Sequence, residues 1–214
     1  MAYNFNGTNQ TLTMTSAPAT TWPLTMACWF YTTDITNTSI LISLSNSGSN
    51  QRFLLSAAGS IAGDPIRTNV LDTSNANFAV NTTTGYSANT WTHAAAVHPS
   101  NSSRTAYING GSSATDSSVC GTFSAVNIAT LAGQRTLSGS TYALAQIAEV
   151  GIWNADLTAA EIASLAKGMT PNKVRPQSLV FYAPLVRDLT DQKGGLTITN
   201  NNAATVANHP RIYP

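Results

Sequence analysis

Residues 91–111 read Trp91-Thr92-His93-Ala94-Ala95-Ala96-Val97-His98, then Pro99-Ser100-Asn101-Ser102-Ser103, then Arg104-Thr105-Ala106-Tyr107-Ile108-Asn109-Gly110-Gly111. Two short segments rich in apolar, β-branched and aromatic residues flank a polar cluster that contains proline. That pattern predicts two adjacent strands joined by a loop. Asn109-Gly110-Gly111 then marks a tight turn, because glycine takes positive φ without steric cost.

The same alternation recurs on both sides. In Thr11-Leu12-Thr13-Met14-Thr15, Leu12 and Met14 fall on one face. A longer strand is predicted over 24–33, carrying Cys28, Trp29, Phe30 and Tyr31. Strands over 40–44 and 52–57 flank the polar loop 45–50, and further strands are expected over 69–72, 77–81, 126–131, 143–153, 179–185 and 196–199. Roughly a dozen short strands imply an all-β, two-sheet sandwich in one domain rather than two small domains. One helix interrupts this pattern, at 158–167. Thr158 and Glu161 form a capping box, Leu157 and Ile162 a hydrophobic staple, Ile162 and Leu165 the apolar face, and Gly168 the stop, with Pro171 just beyond.

Composition agrees and excludes alternatives. The 214 residues are 43% hydrophobic, enough for a core, but only 9% charged, against about 25% in ordinary globular chains. Thr, Ser and Asn supply 72 residues and must solvate the surface. A net charge of +1 without a basic stripe argues against nucleic-acid binding. No apolar run is long enough for a spanning helix, and the first residues lack the basic and apolar regions of a secretory signal. Neither a coiled coil nor a disordered chain fits this composition. A near-neutral, charge-poor surface also invites association. Cys28 and Cys120 read as two buried thiols, with a single bridge between them left open.

The order and spacing of several segments resemble the laminin-G-like, or concanavalin A-like lectin/glucanase, superfamily. The segments are 5–14, 24–30, 91–97 with Tyr107-Ile108-Asn109-Gly110, and Ile147-Ala148-Glu149-Val150-Gly151-Ile152-Trp153-Asn154 leading into the helix. The resemblance covers about residues 3–168 and implies a jelly-roll sandwich. Beyond it, Leu179-Val180-Phe181-Tyr182-Ala183-Pro184-Leu185, an Asp-bearing turn and a His-Pro tail resemble versions of this domain in tailed-phage virion proteins. That resemblance implies work at a virion surface, with other virion proteins or copies of itself as partners. A single domain is expected over 1–199, followed by an extended arm over 200–214. In that arm His209, Pro210, Arg211, Ile212 and Tyr213 either lie over their own sandwich or dock on a neighbouring subunit.

The chain offers little for catalysis. A retaining glucanase of this superfamily uses two carboxyls about 5 Å apart on one strand. Here the two glutamates, Glu149 and Glu161, lie on a strand and on the helix, and Glu161 already serves the capping box. His93 and His98, five residues apart, face opposite sides of a strand and do not easily share a metal; His93 reads as a strand residue and His98 as a loop residue. Calcium is a common ligand in the resembled family. The candidate ligands, Asp188 with Asp191 and Asp64 with Asp72 flanking one loop, read first as turn formers, so no cofactor is expected. Trp22 and Tyr86 are loop aromatics that could form a sugar-binding platform or cap the sandwich, whereas Trp29, Trp91 and Trp153 are assigned to the core. The expected function is a noncatalytic structural or decorating virion protein that aids glycan adhesion. The alternatives are a free carbohydrate-binding module or bacterial adhesin, and a polysaccharide-active enzyme.

Overall fold

The computed structural model describes residues 1–136, 139–210 and 212, and at 135, 136, 139 and 140 the backbone alone. Its strands in chain order are β1 (Ala2–Asn6), β2 (Thr11–Met14), β3 (Leu24–Tyr31), β4 (Thr38–Ser45), β5 (Arg52–Ala58), β6 (Pro65–Leu71), β7 (Asn77–Gly85), β8 (Thr92–Ser100) and β9 (Ser103–Ile108). They continue with β10 (Gly111–Asp116), β11 (Ile128–Leu131), β12 (Gly133–Thr136), β13 (Gly139–Tyr142), β14 (Leu144–Trp153), β15 (Leu179–Ala183), β16 (Ile198–Asn201) and β17 (Thr205–Ala207). Helix α1 (Ala159–Ala166) follows β14.

These strands make a jelly-roll sandwich of two antiparallel sheets. The first runs β10-β9-β8-β3-β14-β1-β17, with β15 paired to the far end of β14 beyond β1. The second runs β16-β2-β11-β4-β5-β6-β7. Alternation sends Leu24, Met26, Cys28 and Phe30 of β3 inward to meet Leu12, Met14, Phe53, Leu55 and Val70 of the facing sheet. The predicted turn after β9 forms as read: Asn109 and Gly110 both have positive φ, 49° and 76°. Asn109 also closes the strand end, exchanging backbone N–H and side-chain bonds with His93.

The helix packs on the outer face of the first sheet. Its capping box is complete, with Glu161 N–H donating to Thr158 Oγ1 and Thr158 N–H to Glu161 Oε2. Ile162 and Leu165 join Leu157, Trp153, Val174 and Tyr182 in a second apolar cluster over Ala27, Ala95 and Val97. Thr25 fastens the approach to the helix: its hydroxyl donates to Ala155 O at 2.7 Å and accepts from Leu157 N–H at 3.0 Å.

The C-terminal segment departs from expectation. Residues 200–207 are not an extended arm. β16 adds an edge strand to the second sheet beside β2, and β17 adds one to the first sheet beside β1. The Asn-rich connection between them is a turn closed by its own side chain. Asn200 Nδ2 donates to Ala204 O, and Asn200 Oδ1 accepts from Ala204 N–H, both at 2.9 Å. Asn201 and Asn202 then bond to Thr13 Oγ1 and Asn9 O. Asparagine side chains replace backbone partners here, which composition alone renders as a linker.

Other assignments shift as well. His98 is a strand residue, not a loop residue; it is fully buried between the sheets, with Nε2 3.0 Å from Thr68 Oγ1 and its ring edge-on to Phe53. Trp29 and Trp91 are not core. Both are half-buried outside the first sheet, where they contact His93 and Tyr31, while Trp153 is fully buried. Asp64 and Asp72 flank strand β6 rather than one loop. Cys28 and Cys120 are free, buried thiols.

Candidate functional site

The second sheet turns one face inward and the other to a pair of grooves. Residues that alternate with the core ones define this outer face. The register aligns Thr13, Thr130, Ser43, Leu54 and Asn69 in one row across β2, β11, β4, β5 and β6. Ile128, Ser45 and Arg52 form the next row. The hairpin β12–β13 contributes lining residues to both grooves. The larger groove, about 610 Å³, is lined by Asn9, Thr11, Thr13, Met14, Thr15, Ile128, Thr130, Gln134, Tyr142, Asn201 and Asn202. The other, about 350 Å³, holds Thr38, Ile40, Arg52, Leu54, Ser56, Ser60, Arg67 and Asn69, with Gln134 and Thr141 from the hairpin.

The polar groups of this face are unusual for being buried. Ser43 is fully buried, and Ser45 and Thr130 nearly so. Yet Ser43 Oγ, Ser45 Oγ, Thr130 Oγ1, Gln134 Oε1 and Arg52 Nε have no hydrogen-bond partner among the described residues. Leaving a buried polar atom unpaired costs on the order of 1–3 kcal/mol, so each such atom calls for an explanation. The chemistry on offer is hydroxyl and amide, both donor and acceptor, with one half-exposed phenol, Tyr142.

The candidates proposed from sequence lie elsewhere and do not converge. Tyr86 is no exposed platform: it is 5% exposed, stacks edge-on to Phe30 and donates its hydroxyl to Asp34 O, and burial pushes its phenol up to about 12. Trp22, followed by a cis bond to Pro23, caps one end of the sandwich against Phe53 and Phe123. One side of it lines a shallow groove with Pro18, Thr21 and Asn154. His209 lies over its own domain, 3.0 Å from Glu149 Oε1, close enough to pair but not aligned as a hydrogen bond. Pro210 is buried beside it, Arg211 and Tyr213 lie outside the described residues, and Ile212 is half-buried.

The carboxylates are engaged in structure. Glu149, on a bulge of β14 with φ of 53°, accepts the Tyr182 hydroxyl at 2.7 Å. Glu161 is held by Arg175 as well as by its capping box, and these bonds keep its carboxyl below the usual range despite partial burial. Asp191 accepts N–H bonds from Tyr182, Lys193, Gly194 and Leu196. Asp72 accepts from Ser74, Ala76 and Gly121. Among the described residues no three His, Cys, Asp or Glu side chains cluster.

The groove residues escaped sequence reading because they are brought together by register between strands far apart in the chain. Their one local signal was the run of Thr11, Thr13 and Thr15, whose positions opposite Leu12 and Met14 mark an outer face without saying what covers it.

A two-sheet jelly roll with a recessed polar face defines a lectin-like architecture. The chain belongs to the concanavalin A-like lectin/glucanase superfamily, whose laminin-G-type family model matches residues 6–163. No curated protein sequence matches it significantly. Among solved structures, a heptameric SAP-like pentraxin from Limulus polyphemus is similar over 97% of this chain and 94% of its own, at 14% identity and a TM-score of 0.72. A Bacteroides ovatus protein provisionally assigned to carbohydrate binding is similar over 97% of this chain and 61% of its own, with 14% identity and a TM-score of 0.64. The CBM40 of the Ruminococcus gnavus IT-sialidase, solved with α2,3-sialyllactose, is similar over 77% of this chain and 96% of its own, with 13% identity and a TM-score of 0.61.

Proposed function

We propose that this protein is a noncatalytic glycan-binding jelly roll, acting as a structural or decorating component at the surface of a phage particle. The observation that carries glycan binding is the outer face of the second sheet. There a groove of about 610 Å³ exposes Thr, Asn and Gln groups beside Tyr142, and neighbouring hydroxyls are buried without partners among the described residues. A sugar ring brings hydroxyls to such groups and an apolar face to the phenol ring. The sialyllactose-bound CBM40 and the Bacteroides ovatus protein, both similar in fold, support the same reading. Glu149 and Glu161 are each held by non-carboxylate partners, which favours binding over hydrolysis.

The virion setting rests on the resemblance of residues 176–214 to tailed-phage virion proteins. The charge-poor surface, with Val206 half exposed on edge strand β17, favours an assembled protein. A glycan array with the full chain tests the first half: saturable binding that Thr13→Leu abolishes is expected. Binding that survives Thr13→Leu refutes this groove as the site. Immunoelectron microscopy of particles from the native source tests the second half, and label absent from every particle refutes it, leaving a free carbohydrate-binding module.

A further inference from the structure

The second groove differs from the first in charge. It holds two guanidinium groups, Arg52 and Arg67, and no Asp or Glu among its lining residues. They lie on adjacent strands, with Leu54 and Asn69 on the same outer row between them. Neither arginine forms an ion pair among the described residues. Arg52 donates one Nη1 bond to Asn50 O at 3.0 Å, and its buried Nε–H has no partner among the described residues. Arg67 has no hydrogen-bond or ion-pair partner for its guanidinium among the described residues. The chain has only ten Lys and Arg residues, and the buried Arg104 is fully engaged by Asp116, Ser118 and Asn101. Two guanidiniums without an ion pair among the described residues therefore share one recess whose lining includes no Asp or Glu.

A guanidinium presents a planar fork of N–H donors that matches a carboxylate, and a recess strengthens the bond by excluding water. Around the pair, Ser56, Asn69 and the hydroxyl couple Thr38 Oγ1–Ser60 Oγ at 2.6 Å supply neutral polar contacts for the rest of a ligand. Burial already penalises the Arg52 charge and lowers its pKa, a cost that a bound anion would offset.

We infer that the Arg52–Arg67 groove takes the carboxylate of an acidic glycan, so that the face as a whole selects acidic over neutral saccharides. This rests on the glycan-binding reading above. The carboxylate could belong to a uronic or a sialic acid, and matched probes separate the two. Calorimetric titration of the full chain with trigalacturonate and sialyllactose, against neutral galactotriose and lactose, is the test. At least one acidic probe is expected to bind tenfold or more tighter than its neutral counterpart. Arg67→Gln, which removes a half-exposed side chain without a partner among the described residues, is expected to abolish that preference while leaving the melting temperature unchanged. Arg52→Gln should do the same, with its fold checked by melting. Equal affinity for acidic and neutral probes, or an acidic preference that survives both variants, overturns the inference and leaves glycan binding intact. Failure of all four probes to bind overturns both.

Discussion

The two buried histidines set how this protein responds to acid. His93 is 2% exposed and His98 fully buried, and desolvation holds each imidazole down to about 3, with Arg104 adding to the effect at His98. In the unfolded chain both return to about 6.5. Between those values the unfolded state binds more protons than the folded one, so stability falls as pH drops through 6.5 and continues to fall towards 3. At pH 4.5 each histidine withdraws about 2.7 kcal/mol relative to neutral pH, from two pKa units at 1.36 kcal/mol each. Together they withdraw about 5 kcal/mol, roughly 10 °C in melting temperature for a chain of this length. The carboxylates act in a lower window. Asp34, brought down to about 2 by bonds from Thr36 and Asn37 against its desolvation, stabilises the fold above pH 4 and loses that contribution as pH falls towards 2. Scanning calorimetry from pH 7 to 4.5 should therefore show a drop that the double variant His93→Gln/His98→Gln removes, each single variant removing about half. A wild-type shift under about 3 °C, or an undiminished slope in the double variant, refutes the assignment.

Two further perturbations probe how the sandwich is closed. Gly110→Ala would place a Cβ 2.8 Å from the Ala163 backbone of the helix at a φ of 76°, so a loss of about 1–3 kcal/mol is expected by urea denaturation; an unchanged midpoint would show that the turn and helix do not meet. Deleting residues 203–214 removes β17 and the His209 contact to buried Glu149, which should cost about 3 kcal/mol or more, and a truncated chain that melts with the full one would return these residues to the status of a free arm.

What the sequence makes legible is the part of the fold that local pattern dictates. Thr158 and Glu161 are three residues apart, so the capping box and its helix follow from the chain alone. Asn109-Gly110 specifies its turn for the same reason. Leu12 and Met14 reveal a core face because strand alternation has a period of two. Pro99 beside His98 implies a loop, whereas β8 runs on to Ser100 with His98 paired to Leu24. For Trp29 and Trp91, size and strand position suggest core, while the register puts Trp29 on the same outer side as Ala27. Tyr86 and Trp22 stand near glycine and proline, which marks loops without showing whether the ring turns inward.

The site was illegible for a further reason. A chain that is one-third Thr, Ser and Asn uses hydroxyls on every exposed strand, so composition carries no information about a sugar. Burial separates the cases. Thr105 and Thr115 pair hydroxyl to hydroxyl across β9 and β10, and as an exposed couple they need nothing more. Ser43, Ser45 and Thr130 have the same chemistry but are buried without described partners, on the sheet face that also carries two arginines without an ion pair among the described residues. Solvation explains the first kind of hydroxyl and fails for the second, because a buried group has given up bulk water. The proposal of glycan binding therefore rests on the second sheet's outer face, and Thr13→Leu with Arg67→Gln tests its neutral and acidic halves separately.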